Sequence, residues 1–274
     1  MLECVINISE GRDSGLLARL ARAVDGSLLD LHADAHHNRS VFTFAGDDVL
    51  GAAKVLCAQA VSELDLRRHA GVHPRLGVVD VVPFVPIGVP LGPDMDLSAA
   101  IAARDSFAEF AASELGLPCF LYGPERSLPE IRRMAFRELA PDIGPPSPDA
   151  RSGAVCVGAR PPLIAYNLVL EADDLDIGKE IAKKIRSHSI RALGLHVGTA
   201  VQVSCNLVKP WIVGPAECYD AVASLAGVRS TELVGLLPGE VLDSIDATRY
   251  VQLDVGPDRT IEARLDTLSR GELA

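Results

Sequence analysis

Aromatic side chains are scarce in this chain of 274 residues: Phe, Tyr and Trp together make up 4% of it. Without rings to stack on, single-stranded nucleic acid has no platform here. Positive charge is also in deficit, with 26 Lys and Arg against 37 Asp and Glu, and a net charge of −11 disfavours binding to a phosphate backbone. The six cysteines, at positions 4, 57, 119, 156, 205 and 218, form no CxxC pair, and most lie in apolar runs. They read as buried thiols of a reducing compartment, neither disulfides nor zinc ligands. The opening MLECVINISEGRD has no basic segment leading into an apolar one, so no export signal is expected. The most apolar region, GVVDVVPFVPIGVPLG, is interrupted by Asp80 and by prolines, which excludes a membrane span. The expectation is a cytoplasmic protein that engages small molecules, with neither nucleic acid nor membrane as a partner.

What is present is apolar material, 48% of residues, enough for the cores of two modest domains. LECVINI reads as a first strand, followed by a helix with Leu17, Leu20 and Val24 on one face and Asp13 as N-cap. SLLDLHA and SVFTF are two strands joined by a tight polar link. Val49, Ala53, Leu56, Ala60 and Leu64 recur at helical spacing behind Asp47 and Asp48, and VVDVVPFV is a fourth strand. That order is the split βαβ of ferredoxin-like folds. A long helix across LSAAIAARDSFAEFAASELG, a short strand PCFLYG and a helix near LPEIRRMAF extend this unit. The segment PDIGPPSPDARSG, with four prolines, is expected to be a loop.

The same order then recurs. LIAYNLVLEA is a strand, Ile177, Ile181 and Ile185 mark a helix, and RALGLHVG and VQVSCNL are strands. Pro215 opens a helix with Cys218, Val222 and Leu225 on its inner face, and STELVGLLP closes the set. The predicted fold class is α/β (α+β): two tandem βαββαβ units of ferredoxin-like type, residues 1–161 and 162–274, joined near Arg160 to Pro162.

Three stretches carry candidate chemistry. In RRHAGVHPRLG, Pro74 biases His73 toward extended backbone, and Arg67, Arg68 and Arg75 make one of the few dense basic clusters. An imidazole there is either a proton shuttle or a helix-end residue facing solvent. LHADAHHNRS packs Asp30, His32, Asp34, His36, His37, Asn38 and Arg39 between two strands. It reads as a metal site with His69 or His73 as further ligands, or as a polar β-turn, which Asn38 fits; the spacing matches no HxxxH or zinc-ribbon pattern. NISEG, Asn7 to Gly11, follows the first strand, where either a ligand loop or capping by Ser9 or Asp13 is expected.

The run ECVINISEG, LLDLHADAHHNRSVFTF, RRHAGVHPRLGVVDVVPFVP, FLYG, GPPSPDARSGAVCVGARPPLIAYN, VQVSCNL and ELVGLLP, in collinear order from Glu3 to Pro238, resembles the formiminotransferase domain of glutamate formimidoyltransferases and formimidoyltransferase-cyclodeaminases. Ile6 and Ile8 stand where the family has a proline and an aromatic. The resemblance implies transfer of a formimino group from N-formimino-L-glutamate to tetrahydrofolate as co-substrate, in one-carbon metabolism and histidine degradation. It implies two subdomains with the ligand cleft between them, no metal, and a homodimer. The catalytic role falls on His73, and the folate loop on Gly144 to Gly153, including Pro145 and Ser147. Asp34 or Glu10 is then the carboxylate beside the amidinium, with Asp34 assigned to catalysis. Arg39 and Arg75 suit substrate carboxylates, and Asn7, Asn38 and Asn206 suit ligand hydrogen bonds. No cyclodeaminase segment follows, so a monofunctional protein is expected. The alternatives are a folate-binding module without chemistry, a transferase using N-formylglutamate or formiminoglycine, and a metal hydrolase built on LHADAHHNR.

Overall fold

The computed structural model describes residues 1–71 and 74–272. The chain forms two compact units, Met1–Val89 with Asp96–Arg160, and Pro90–Met95 with the chain from Pro161 onward.

The first unit runs β1 (Leu2–Ile8), α1 (Ser14–Ala23), β2 (Leu28–Asp34), β3 (Arg39–Gly46), α2 (Val49–Glu63) and β4 (Val79–Pro86). It continues with α3 (Ser98–Ser113), β5 (Cys119–Tyr122), α4 (Leu128–Met134) and β6 (Val155–Ala159). Its sheet has the order β2-β3-β1-β4-β6-β5, antiparallel through β4 and parallel from β4 to β5. Period-two patterning decides the faces: Cys4, Ile6 and Ile8 of β1 and Phe42 and Phe44 of β3 are fully buried in one core with Leu20, Leu56 and Phe107 of the helices. The two helix starts are set by side-chain caps. Asp13 accepts from the Leu16 N–H at 2.9 Å, and Asp48 from the Gly51 N–H at 3.0 Å. A smaller core on the other side of the parallel strands joins Val81, Phe120 and Cys156 to Ile131 of α4.

The second unit runs β7 (Ile164–Leu170), α5 (Leu175–Ile185), β8 (Ile190–Val197), β9 (Ala200–Leu207), α6 (Pro215–Ala223) and β10 (Val228–Val234), in an antiparallel sheet of order β10-β7-β9-β8. In both units the first strand of the motif lies between the third and the fourth, as the split βαβ arrangement requires. The expected α+β architecture of two ferredoxin-like units is present.

The structure differs from the sequence reading in four places. β6 was not expected; all five of its residues are buried between two parallel neighbours, so it lacks the polar alternation that marks a half-buried strand. Ile177 is 41% exposed, because α5 buries Gly178, Ile181, Ala182 and Ile185 instead. Leu225 lies beyond the end of α6 and is 42% exposed. The unread C-terminal stretch forms α7 (Gly239–Asp243), α8 (Tyr250–Leu253) and α9 (Ile261–Ser269). Val241, Leu242 and Leu253 complete the second core there, and the Tyr166 hydroxyl donates to the Leu253 carbonyl at 2.9 Å. Among the described residues, no helix is long and apolar enough to cross a membrane.

Candidate active site

Four loops meet at one end of the first sheet. The loop after β1 is joined to the segment before β4 by Ser9, whose N–H donates to the Val78 carbonyl and whose hydroxyl donates to the Gly77 carbonyl, both at 2.8 Å. The proline-rich loop closes on the same segment: the Ala154 N–H donates to the Leu76 carbonyl at 2.9 Å, and the Val78 N–H to the Ser152 carbonyl at 2.9 Å. This approach requires glycine. Gly153 has φ +75°, and a Cβ there would sit 2.2 Å from the Leu76 carbonyl oxygen.

The β2–β3 turn is the fourth partner. Asn38, buried at φ +47°, accepts from the Gly11 N–H at 2.9 Å through Oδ1 and donates from Nδ2 to the Ala70 carbonyl at 3.0 Å. The left-handed conformation suits a short amide side chain, as the β-turn reading of Asn38 anticipated. Asp34 accepts from the N–H groups of His36 at 2.7 Å and His37 at 2.9 Å, and its Oδ2 lies 2.6 Å from the His37 ring Nδ1. Burial opposes its ionisation, but the His37 ring and these N–H groups hold the Asp34 carboxyl well below the usual carboxylate range. Glu10 caps its own loop, accepting from the N–H groups of Gly11, Arg12 and Asp13 through one oxygen.

Beneath the loops lies a buried ionic cluster. Asp80, fully buried in β4, accepts from Arg39 at 2.6 Å and from both terminal nitrogens of Arg132, at 2.9 and 2.5 Å, and also from the Leu76 N–H at 2.8 Å. Desolvation would raise the Asp80 carboxyl, but the two guanidinium charges and these hydrogen bonds bring it below its ordinary value. Arg39 also donates to the Asn7 side-chain oxygen at 3.0 Å. Arg75 lies with its guanidinium against the His69 ring and donates to the His37 carbonyl at 3.4 Å; burial, with the Arg75 charge beside it, lowers the pKa of His69.

The structure therefore brings Asn7, Glu10, Asp34, Asn38, Arg39, Arg75 and Gly153 to one loop cluster. Gly144, at φ +93°, and half-buried Pro145 lie in the proline-rich loop with exposed Ser147. Asn206 lies on β9 of the second unit, exposed. His73 lies outside the described residues. Among the described residues, no group of three or more His, Cys, Asp or Glu side chains is arranged to hold a metal ion; Asp34 and His37 of the histidine-rich turn pair with each other. Sequence reasoning missed Arg132 and the role of Asp80. The signal was a lone carboxylate in an otherwise apolar strand, which demands a buried cation.

The fold and these loops define a two-unit α+β protein with an imidazole- and guanidinium-rich loop cluster suited to acid–base chemistry on an anionic small molecule. Residues 1–160 match the family described as formiminotransferase domain, N-terminal subdomain. The chain is 35% identical to a glutamate formimidoyltransferase of Streptococcus pyogenes serotype M1, over 93% of this chain and 94% of that protein. It is 33% identical to a glutamate formimidoyltransferase of Thermoplasma acidophilum, over 93% of each chain. A formimidoyltransferase-cyclodeaminase of Gallus gallus is 32% identical over 91% of this chain and 52% of its own length. The chain belongs to the formiminotransferase family.

Proposed function

We propose that this protein transfers the formimino group of N-formimino-L-glutamate to tetrahydrofolate, giving 5-formiminotetrahydrofolate and L-glutamate. The observation that carries the reading is near full-length similarity to glutamate formimidoyltransferases in a chain whose motif-bearing loops converge at one sheet end. The formimino group is an amidine, cationic near neutral pH and already electrophilic at carbon. Attack by N5 of tetrahydrofolate gives a tetrahedral centre bearing nitrogens, so no oxyanion needs stabilising. The demanding steps are removal of the N5 proton and protonation of the departing glutamate nitrogen. His73 is the proposed acid–base group, a contribution of about 10²- to 10⁴-fold.

Asp34 or Glu10 offsets the amidinium charge, Arg39 and Arg75 meet substrate carboxylates, and Asn7, Asn38 and Asn206 supply hydrogen bonds. Gly144, Pro145, Ser147 and Gly153 belong to the folate loop. Residues 1–161 and 162–274 are the N- and C-terminal subdomains, and the enzyme is a cytoplasmic homodimer. The described cysteines, all buried free thiols, support a reducing compartment, and the family resemblance supports the dimer.

Donor competition tests the reading. Turnover with formiminoglutamate should exceed that with N-formylglutamate or formiminoglycine at equal concentration, monitored by mass spectrometry of the folate product. Product from only one of the latter donors would reassign the substrate, and folate binding with no product from any donor would leave a binding module.

A further inference from the structure

Formiminoglutamate and the glutamyl tail of tetrahydrofolate each carry a pair of carboxylates, and Arg39 is already engaged by Asp80 at 2.6 Å. From Pro161 onward the chain has seven arginines. Arg229, Arg249, Arg259 and Arg270 pair with Asp173, Asp220, Asp254 and Glu272. Arg186 and Arg264 donate to the carbonyls of Ala192 and Asp258. Among the described residues, the guanidinium of the seventh, exposed Arg191, has no hydrogen bond and no ion pair.

Period two sets its direction. Ile190 and Ala192 of β8 and Val203 and Cys205 of β9 belong to the second core, so Arg191, Leu193, Ser204 and Asn206 project from the opposite face of the sheet. The register places Arg191 opposite Asn206 and Leu193 opposite Ser204. Directly opposed residues hold their Cβ atoms about 4.5–5.5 Å apart, close enough for a guanidinium and an amide to share one ligand. Asn206 is exposed, Ser204 is half-buried, and Leu193 is 51% exposed, which leaves an apolar side chain beside the two polar ones. A carboxylate on this face, Glu232, accepts from buried Asn167 at 2.8 Å and belongs to β10, at the far edge of the sheet from β8. Three strand spacings, about 14 Å, separate those two strands, beyond the screening length of about 8 Å in physiological salt.

We propose that Arg191 and Asn206 form a subsite for a glutamyl carboxylate of a substrate, with Leu193 as the apolar surface for the adjoining methylene groups. This rests on the formimino-transfer reading and deepens it. The guanidinium offers two parallel N–H donors to one carboxylate, and the Asn206 amide nitrogen adds a third. Two sources present this chemistry, the donor amino acid and the tail of the folate. The subsite holds its ligand away from the reacting carbon, so it governs binding and takes no part in proton transfer.

The test measures kcat, KM and, by equilibrium titration, the dissociation constant of each substrate for the full-length wild type, Arg191→Gln and Arg191→Lys. Arg191→Gln should raise KM for one substrate at least ~10-fold with kcat within about 3-fold. Arg191→Lys, which keeps the charge and loses the planar fork, should recover part of that loss. A rise confined to formiminoglutamate identifies the donor as the occupant. A rise confined to tetrahydrofolate identifies the folate tail, and tetrahydropteroate, which lacks the glutamyl group, should then bind wild type and Arg191→Gln alike. Unchanged KM and dissociation constants for both substrates would overturn the proposal, as would an equal loss of affinity for tetrahydropteroate. Lower thermal stability with unchanged affinities marks a structural role and overturns it too. A wild type that binds both substrates and transfers nothing would sink the reaction itself, while the titrations would still decide the subsite.

Discussion

Asp80 carries its charge in the interior, between Arg39 and Arg132, and the loops above depend on it through the Leu76 N–H. Removing one guanidinium leaves a buried carboxylate undercompensated. Arg132→Ala should therefore cost about 3–5 kcal/mol in urea unfolding, and a wild-type midpoint would contradict the cluster's role. The same carboxylate predicts acid sensitivity. Its folded pKa is depressed, as is that of Asp34, so the stability they contribute is full above the ordinary carboxylate value of about 3.9 and is lost as pH falls below it. The urea midpoint should drop steadily on acidification from pH 5, and by less in Asp34→Asn; equal pH dependence in the two proteins would argue against the Asp34 contribution. His73→Ala should fold and bind folate, yet transfer at least ~10²-fold more slowly, and wild-type turnover would remove the proton-shuttle role. At this scale the candidate residues were readable and their partners were not. Asp34, Asn38 and Arg39 stand out as polar letters between strands, but the pairing of Asp80 with Arg132 spans 52 positions and appears only when α4 packs on β4.

Among the elements, helices and half-buried strands announced themselves through periodicity and caps, as Asp13 and Asp48 illustrate. β6 did not, because a strand with parallel neighbours on both sides has no solvent face to record in its sequence. The proline-rich loop was legible as a loop, whereas its contact with the segment before β4 was not. That contact gives a prediction of its own. Gly153→Ala places a methyl against the Leu76 carbonyl at a left-handed backbone position. It should cost at least about 1–2 kcal/mol of stability and weaken tetrahydrofolate binding, measured by urea unfolding and by equilibrium titration. Unchanged stability and affinity together would show that the loop is not held here.

On the scale of the whole molecule, a net charge of −11 sits awkwardly with anionic substrates, and the arginines of the first unit's loops supply the local exception. Arg75 is one of them, lying against the His69 ring and donating to the His37 carbonyl. KM for formiminoglutamate should accordingly rise with ionic strength between 0.01 and about 0.15 M, over which the screening length shortens from about 30 to 8 Å. A flat KM would mean that substrate is held without net charge attraction. The repeated split βαβ order was visible in the sequence because each unit reproduces it in hydrophobic pattern, while the C-terminal helices that complete the second core carry too little periodicity over their short lengths. The most direct measurement is mass-spectrometric detection of both products from purified protein with tetrahydrofolate and formiminoglutamate. Free glutamate and 5-formiminotetrahydrofolate should appear one for one and only when both substrates are present. Glutamate released without a folate product, or no product despite folate binding, would contradict formimino transfer.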